Sequence, residues 1–141
     1  MKKSYNIVEG KAPRPLGAYS HAIEAGGFLF VSGQGARDAT TGIERGVELG
    51  ADGEILAYDI KVQTEAVIGN LTTVLKEAGL SLEDLVDVSV FLADMNDFKS
   101  YNEVYEKYFS FPDPPARTTV QAARLPGKNF IEIKATAYRR A

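Results

Sequence analysis

Arg117 and Glu132 are the residues of this chain whose types and placement could do chemistry together. Arg117 follows Pro114-Pro115-Ala116 and opens Thr118-Thr119-Val120, while Glu132 lies within Phe130-Ile131-Glu132-Ile133-Lys134-Ala135, downstream of Leu125-Pro126. An arginine at the start of a strand offers a planar fork that can grip a carboxylate through two parallel hydrogen bonds. A glutamate in the same site can orient a water or carry a proton in either direction. Each residue also has a plain structural reading. Glu132 alternates with Lys134, as a solvated strand face does, and Arg117 could be an ion-pair residue at a sheet edge or beside a helix C-terminus.

Other chemistries lack their parts. The chain has one histidine, His21, and no cysteine, so thiolate nucleophiles, disulfide scaffolds and the His/Cys ligand sets of zinc deaminases are absent. A serine triad would have to run through His21, and no Gly-x-Ser-x-Gly elbow is present. His21 itself reads as a polar strand residue. Ser32-Gly33-Gln34-Gly35 has neither the full spacing nor the following helix of a phosphate loop. Neither metal catalysis nor nucleotide binding at this loop is expected. A net charge of −3 with acids and bases interspersed supplies no field for a phosphate backbone, so nucleic acid is not the expected partner. Arg139-Arg140 reads as a solvated pair. No apolar run approaches the ~18 residues of a membrane span. Met1 to Asn6 lacks the apolar stretch of a signal peptide, which makes the cytoplasm the expected location.

The elements that must position Arg117 and Glu132 follow from apolar periodicity. With 141 residues, 45% of them apolar, a single domain over 1–141 is expected. Tyr5 to Val8 suggests a first edge strand, and Ala18 to Ala25 a second. Phe28-Leu29-Phe30-Val31 is a third, joined to the second by a hairpin at Gly26-Gly27. Gly35 to Gly53 reads as a surface loop with at most one irregular strand. Val67, Leu71, Val74, Leu75 and Ala78 then share a helix face that Gly79 ends. Leu85 to Leu92 reads as a strand with Val86, Val88, Val90 and Leu92 on one side. Asn96 or Asp97 caps a second helix whose apolar ring is Phe98, Tyr101, Val104, Tyr105, Tyr108 and Phe109, ended by Phe111-Pro112-Asp113-Pro114-Pro115. Arg117 to Ala123 and Phe130 to Tyr138 are the last strands. The expected class is α+β, a mixed sheet with two helices packed on one face. The other face must then meet water or another subunit, and its small and apolar residues favour a subunit.

Gly17-Ala18-Tyr19-Ser20-His21-Ala22, Val31-Ser32-Gly33-Gln34, Met95-Asn96-Asp97-Phe98 with Tyr101-Asn102, Pro115-Ala116-Arg117-Thr118-Thr119-Val120, Leu125-Pro126 and Ile131-Glu132-Ile133 occur in this order. Together these blocks resemble the RidA (YjgF) family, over about Pro13 to Tyr138. The resemblance implies a chorismate-mutase-like domain assembled as a homotrimer with ligand clefts between subunits. It implies hydrolysis of reactive enamine or imine acids to 2-oxo acids and ammonia, without metal or organic cofactor. By position, Arg117 matches the arginine that holds the substrate carboxylate, and Glu132 the acid associated with the catalytic water. Tyr19, Ser32, Gly33 and Asn102 match cleft residues, and Thr119 stands where many members have cysteine, with its backbone N–H still available. The family also includes proteins described as ribonucleases or translation inhibitors, and a carboxylate-binding or chaperone-like trimer without turnover is a further alternative.

Ala18 replaces the usual proline and His21 the usual glutamine. The long Gly35 to Tyr58 region, the Val8 to Pro15 start and the Met95 to Tyr105 run resemble the 2-aminomuconate deaminase branch. The substrate is thus open between small 2-imino acids and a longer dicarboxylic enamine, for which Arg14, Arg37 or Arg124 could supply a second cation. A simple hairpin about Gly127 would pair Glu132 near Ala122 and leave Arg117 about 17 Å along the strand. The pair can then share a small substrate only if these strands are not hairpin neighbours or if an adjacent subunit supplies one residue. The second alternative is the expectation.

Overall fold

The 3.6-residue spacing of Val67, Leu71, Val74 and Leu75 produces helix α1 (Ile60–Glu77) in the computed structural model, which describes residues 1–7 and 10–140. Asp59 starts it by accepting the Lys61 and Val62 N–H groups at 2.9 and 3.2 Å. Gly79 stops it with a φ of 74°, and the Leu80 N–H returns to the Leu75 carbonyl at 2.9 Å. Ahead of α1 lie β1 (Lys3–Tyr5), β2 (Ala22–Ala25), β3 (Phe28–Gln34), β4 (Val47–Leu49) and β5 (Ile55–Tyr58). After it come β6 (Leu85–Leu92), α2 (Phe98–Tyr108), β7 (Ala116–Gln121) and β8 (Ile131–Tyr138).

Six strands form one sheet in the order β1-β2-β3-β8-β6-β7, and β4 pairs with β5 apart from it. Every neighbouring pair is antiparallel except β6 and β7, whose parallel run requires a crossover that α2 supplies. Both helices pack on one sheet face. Val67, Leu71, Val74 and Leu75 of α1 and Tyr101, Val104 and Tyr105 of α2 close over Leu29, Val31, Val88, Val90, Leu92, Ile131 and Ile133. The expected α+β layering is thus the observed one. No helix is long and apolar enough to cross a membrane among the described residues.

The differences have local causes. The Gly26-Gly27 hairpin forms, both glycines at positive φ, but β2 begins at Ala22, while His21 ahead of it bonds the Tyr5 carbonyl and the Ser32 N–H. The first strand covers Lys3–Tyr5, and Val8 lies outside the described residues. Val86 is exposed rather than in the core. A register shift between Leu85 and Asp87 breaks the alternation and turns Leu85 inward in its place. Arg139 is no solvated charge. It grips Glu24 at 2.8 and 2.9 Å and also donates to the Ala78 carbonyl, tying β8 to β2 and to the end of α1. That guanidinium holds the Glu24 carboxyl down at about 2. Finally, β7 and β8 are not a hairpin, because β6 lies between them. The 17 Å separation along a shared ladder therefore loses its premise.

The sheet face away from the helices is open. Register places Phe28 beside Tyr138, Phe30 beside Thr136, and Phe91 between Glu132 and Val120 on that face. Phe28, Phe30, Val120 and Tyr138 are each between 40% and 45% exposed, more aromatic surface than one chain usually leaves in water.

Candidate functional site

Arg117 stands beside Val88 in the β6–β7 ladder and Thr119 beside Val90, so both side chains share the helix-covered face with those core valines. There Arg117 Nη1 donates to Asn102 Oδ1 at 2.7 Å, and its guanidinium lies over the rings of Tyr105, Tyr101 and Phe98 at 4.6, 5.6 and 5.7 Å. The aromatic faces hold the cation while leaving most of its five donors uncommitted. Thr119 Oγ1 shares a 2.7 Å hydrogen bond with the Tyr101 hydroxyl, which fixes the ring under the guanidinium. Burial pushes the Tyr105 phenol up to about 12 and raises that of Tyr101, so both rings stay neutral. Arg117 opens onto a cavity of about 420 Å³ bounded by Asn102, Tyr105, Phe109, Pro114 and Pro115.

Glu132 belongs to the opposite face. Its neighbours Ile131 and Ile133 enter the core, so the alternation of β8 turns the carboxylate away from the helices. It lines a second cavity, about 340 Å³, with Tyr19, Gly33, Arg37, Asn129 and Pro13. Gly33 makes room for it: a Cβ there would stand 2.6 Å from Oε2 and 3.0 Å from Cδ. A break in the β3–β8 register between Val31 and Gln34 brings Gly33 to this place. Burial pushes the Glu132 carboxyl above its ordinary value.

Around this cavity the chain is held by side-chain bonds to its backbone. Tyr19 accepts the Leu16 N–H at 3.2 Å. His21, buried, accepts from the Ile7 N–H at Nδ1 and pairs its Nε2 with the Pro13 carbonyl at 2.8 Å; it stands just before β2 in a structural role rather than as the polar strand residue expected. Ser32 spends its hydroxyl on the Ser20 carbonyl at 2.7 Å and is not among the residues bordering the cavity.

The seven candidate residues thus fall into two groups. Arg117, Asn102 and Thr119 meet between α2 and β7. Tyr19, Gly33 and Glu132 meet at the end of β3, with Ser32 behind them. The groups do not meet within one chain. Arg117 is level with Val88 and Glu132 with Phe91, on opposite faces and two strands apart, a separation of about 14 Å at ~3.3 Å per residue and ~4.8 Å per strand. Of the further cations, Arg37 lines the Glu132 cavity, whereas Arg14 and Arg124 are exposed and do not.

Two positioning residues escaped the sequence reading. Gln63, fully buried, donates to the Arg45 and Lys128 carbonyls and accepts the Phe130 N–H at 2.7 Å, fixing the start of β8 two residues before Glu132. Asn129 accepts the Ala36 N–H at 2.7 Å and donates to the Pro126 carbonyl. The signal for Gln63 was available, since an amide four residues before Val67 lies on the apolar stripe of α1. Among the described residues no group of three His, Asp or Glu side chains is arranged to hold a metal.

Comparison with known proteins agrees with the motif blocks. The family profile described as Endoribonuclease L-PSP matches residues 9–139. A RutC family protein of Pyrococcus abyssi is 47% identical over 133 residues, which cover 94% of this chain and 95% of that protein. The chloroplastic Reactive Intermediate Deaminase A of Arabidopsis thaliana is 39% identical over 127 residues, covering 90% of this chain and 62% of that longer protein. The crystal structure of Escherichia coli TdcF with bound serine superposes with a TM-score of 0.79 at 34% identity, over 98% of this chain and all of that one. With its motifs, its fold and its relatives in agreement, this chain belongs to the endoribonuclease L-PSP family, the group that includes the RutC and RidA proteins.

Proposed function

We propose that the protein hydrolyses reactive enamine or imine acids to 2-oxo acids and ammonia, in a cleft where Arg117 of one chain faces Glu132 of another. The observation that carries this reading is the pairing of a caged, donor-rich guanidinium with a half-buried carboxyl that stand on opposite faces of one sheet. The aromatic-caged guanidinium of Arg117 lines one cavity and the Glu132 carboxyl the other. The open aromatic face with Phe28, Phe30, Val120 and Tyr138 supports a closed oligomer, a homotrimer by family analogy, which would bring the two groups together.

The chemistry balances with these groups and water. Arg117 holds the substrate carboxylate and so fixes the adjacent carbon. Protonated Glu132, favoured by its burial, gives its proton to the enamine carbon and produces an electrophilic iminium. As a carboxylate it then takes a proton from the water that attacks the iminium carbon, the one bearing nitrogen and the carboxylate. It returns this proton to the nitrogen, and as the C–N bond breaks with release of ammonia the hydroxyl proton passes back to Glu132, which ends protonated as it began. One water is consumed, and the C=N bond becomes C=O. A substrate that arrives as the imine enters at the second step. Thr119, bonded to Tyr101, takes no part in proton transfer in this scheme.

The test is to generate 2-iminopropanoate in situ with an amino-acid oxidase and follow its loss. Wild type accelerates the loss, and Arg117→Ala abolishes the acceleration while the oligomer size in sedimentation is unchanged. No acceleration by the wild type would leave a carboxylate-binding protein as the better account, a role the same guanidinium cage would serve.

A further inference from the structure

Arg37 is the one lysine or arginine among the described residues that line the Glu132 cavity, and the segment carrying it is held from several sides. Asn70 of α1 donates to the carbonyls of Gly35 and Arg37, at 2.9 Å each. Asn129 accepts the Ala36 N–H, and the backbones of Arg37 and Glu44 pair in an isolated antiparallel bridge across the following turn. Ala36 is fully buried, and a Cβ on Gly35 would stand 2.7 Å from the Asn129 amide. The guanidinium is itself tethered, since Nη2 donates to the Arg14 carbonyl. Nε and Nη1 remain for a ligand.

Among the described residues the charge has no neutralising partner. No carboxylate among the described residues lies within 4.0 Å of it. Arg37 also borders the neighbouring groove over α1, but the acids there are engaged elsewhere: Asp38 pairs with Arg45 and Glu65 with Lys107. Glu44 accepts the Lys128 N–H. Glu132 shares the cavity with Arg37 without reaching it, so acid and cation are spaced across one compartment. Pro13, Pro15, Leu16 and Pro126 add apolar wall to this cavity, which strengthens an ion pair formed within it relative to one in bulk water.

We infer that Arg37 is a distal anion subsite, which binds the second carboxylate of a dicarboxylic enamine or imine acid whose reacting carbon lies at Glu132. The identity of the reacting groups rests on the deaminase reading given above; the anion preference rests on Arg37 alone. A tethered fork with two donors left matches a carboxylate better than a neutral or cationic group. Such a substrate spans three fixed points: Arg117 of the neighbouring chain, Glu132 and Arg37.

Calorimetry with 2-oxoglutarate and 2-oxobutanoate, product-like acids with and without a distal carboxylate, tests this. Wild type is expected to bind 2-oxoglutarate about tenfold more tightly or better. Arg37→Gln brings the two affinities within about twofold of each other, mainly by weakening 2-oxoglutarate, and Arg37→Lys recovers part of the preference. A merely structural role for Arg37 would instead lower both affinities together and leave their ratio. Equal affinities in the wild type overturn the subsite without any variant, and so does a preference that survives Arg37→Gln. Turnover of 2-iminopropanoate is followed in parallel. Turnover with equal affinities keeps the deaminase and removes the subsite; a preference without turnover does the reverse.

Discussion

Gly33→Ala isolates the placement of Glu132 from everything else in the fold. Gly33 does not have a left-handed φ, so the backbone accepts a side chain there. The added Cβ would lie 2.6 Å from Glu132 Oε2, 3.0 Å from Cδ and 3.4 Å from Cγ. Ordinary contact begins near 3.4 Å, so Oε2 must retreat by roughly 0.8 Å. Because the obstacle is the far end of a flexible side chain, the shift costs the fold little, within about 0.5 kcal/mol. For a proton carrier the same shift is large, since a misplacement of ~1 Å can cost on the order of 100-fold in rate, about 2.7 kcal/mol of barrier. The assay is in situ formation of 2-iminopropanoate, with kcat and KM measured for both proteins and chemical denaturation run alongside. The expected result is a kcat lowered about 100-fold, a KM changed far less, and an unchanged unfolding midpoint. Full kcat in Gly33→Ala would refute the role given to the Glu132 carboxylate. A lost kcat accompanied by a collapsed fold would refute the claim that Gly33 serves the site rather than the sheet.

Gln63→Ala removes a fully buried amide from three backbone partners, leaving two carbonyls and the Phe130 N–H unpaired; a loss of about 2–4 kcal/mol is expected in urea unfolding, and a cost under about 0.5 kcal/mol would contradict its anchoring role. Glu24→Gln tests the tie between β8 and β2. The Glu24 carboxyl is held at about 2 by Arg139, so its contribution is present above the ordinary carboxylate pKa and is lost as the pH falls towards about 2. The variant should melt below wild type at pH 7, by about 1 kcal/mol or less, with the gap closing in acid; a gap that widens in acid would reverse the sign.

Much of the fold was legible because its long elements have clean periods. β6, α1, α2 and β8 all follow from apolar spacing, with Gly79 and Pro112 as stops. What was not legible depends on partners distant in sequence. Nothing in Leu125-Pro126-Gly127-Lys128 says that β6 will intrude between β7 and β8, because a short link between strands ordinarily makes them neighbours. The short exposed β4–β5 hairpin has too few core residues to leave a pattern: its seven residues include none that is buried. Val86 was misplaced by a register shift that alternation cannot announce. At the site, residue types pointed to Arg117 and Glu132, but only the strand order reveals that they occupy opposite faces. The spacing of Tyr101 and Tyr105 is that of ordinary helix core, and only the β7 register, which sets Arg117 over both rings, makes them a cage.

Subunit mixing tests most directly whether one chain's Arg117 works with another's Glu132. Arg117→Ala and Glu132→Gln proteins are each expected to be inactive alone. Refolded together in equal amounts, they should regain both wild-type groups in about a quarter of the intersubunit sites of a closed ring, with activity to match. Mixed oligomers that form, as seen by native mass spectrometry, yet show no activity above the parents would contradict an intersubunit site.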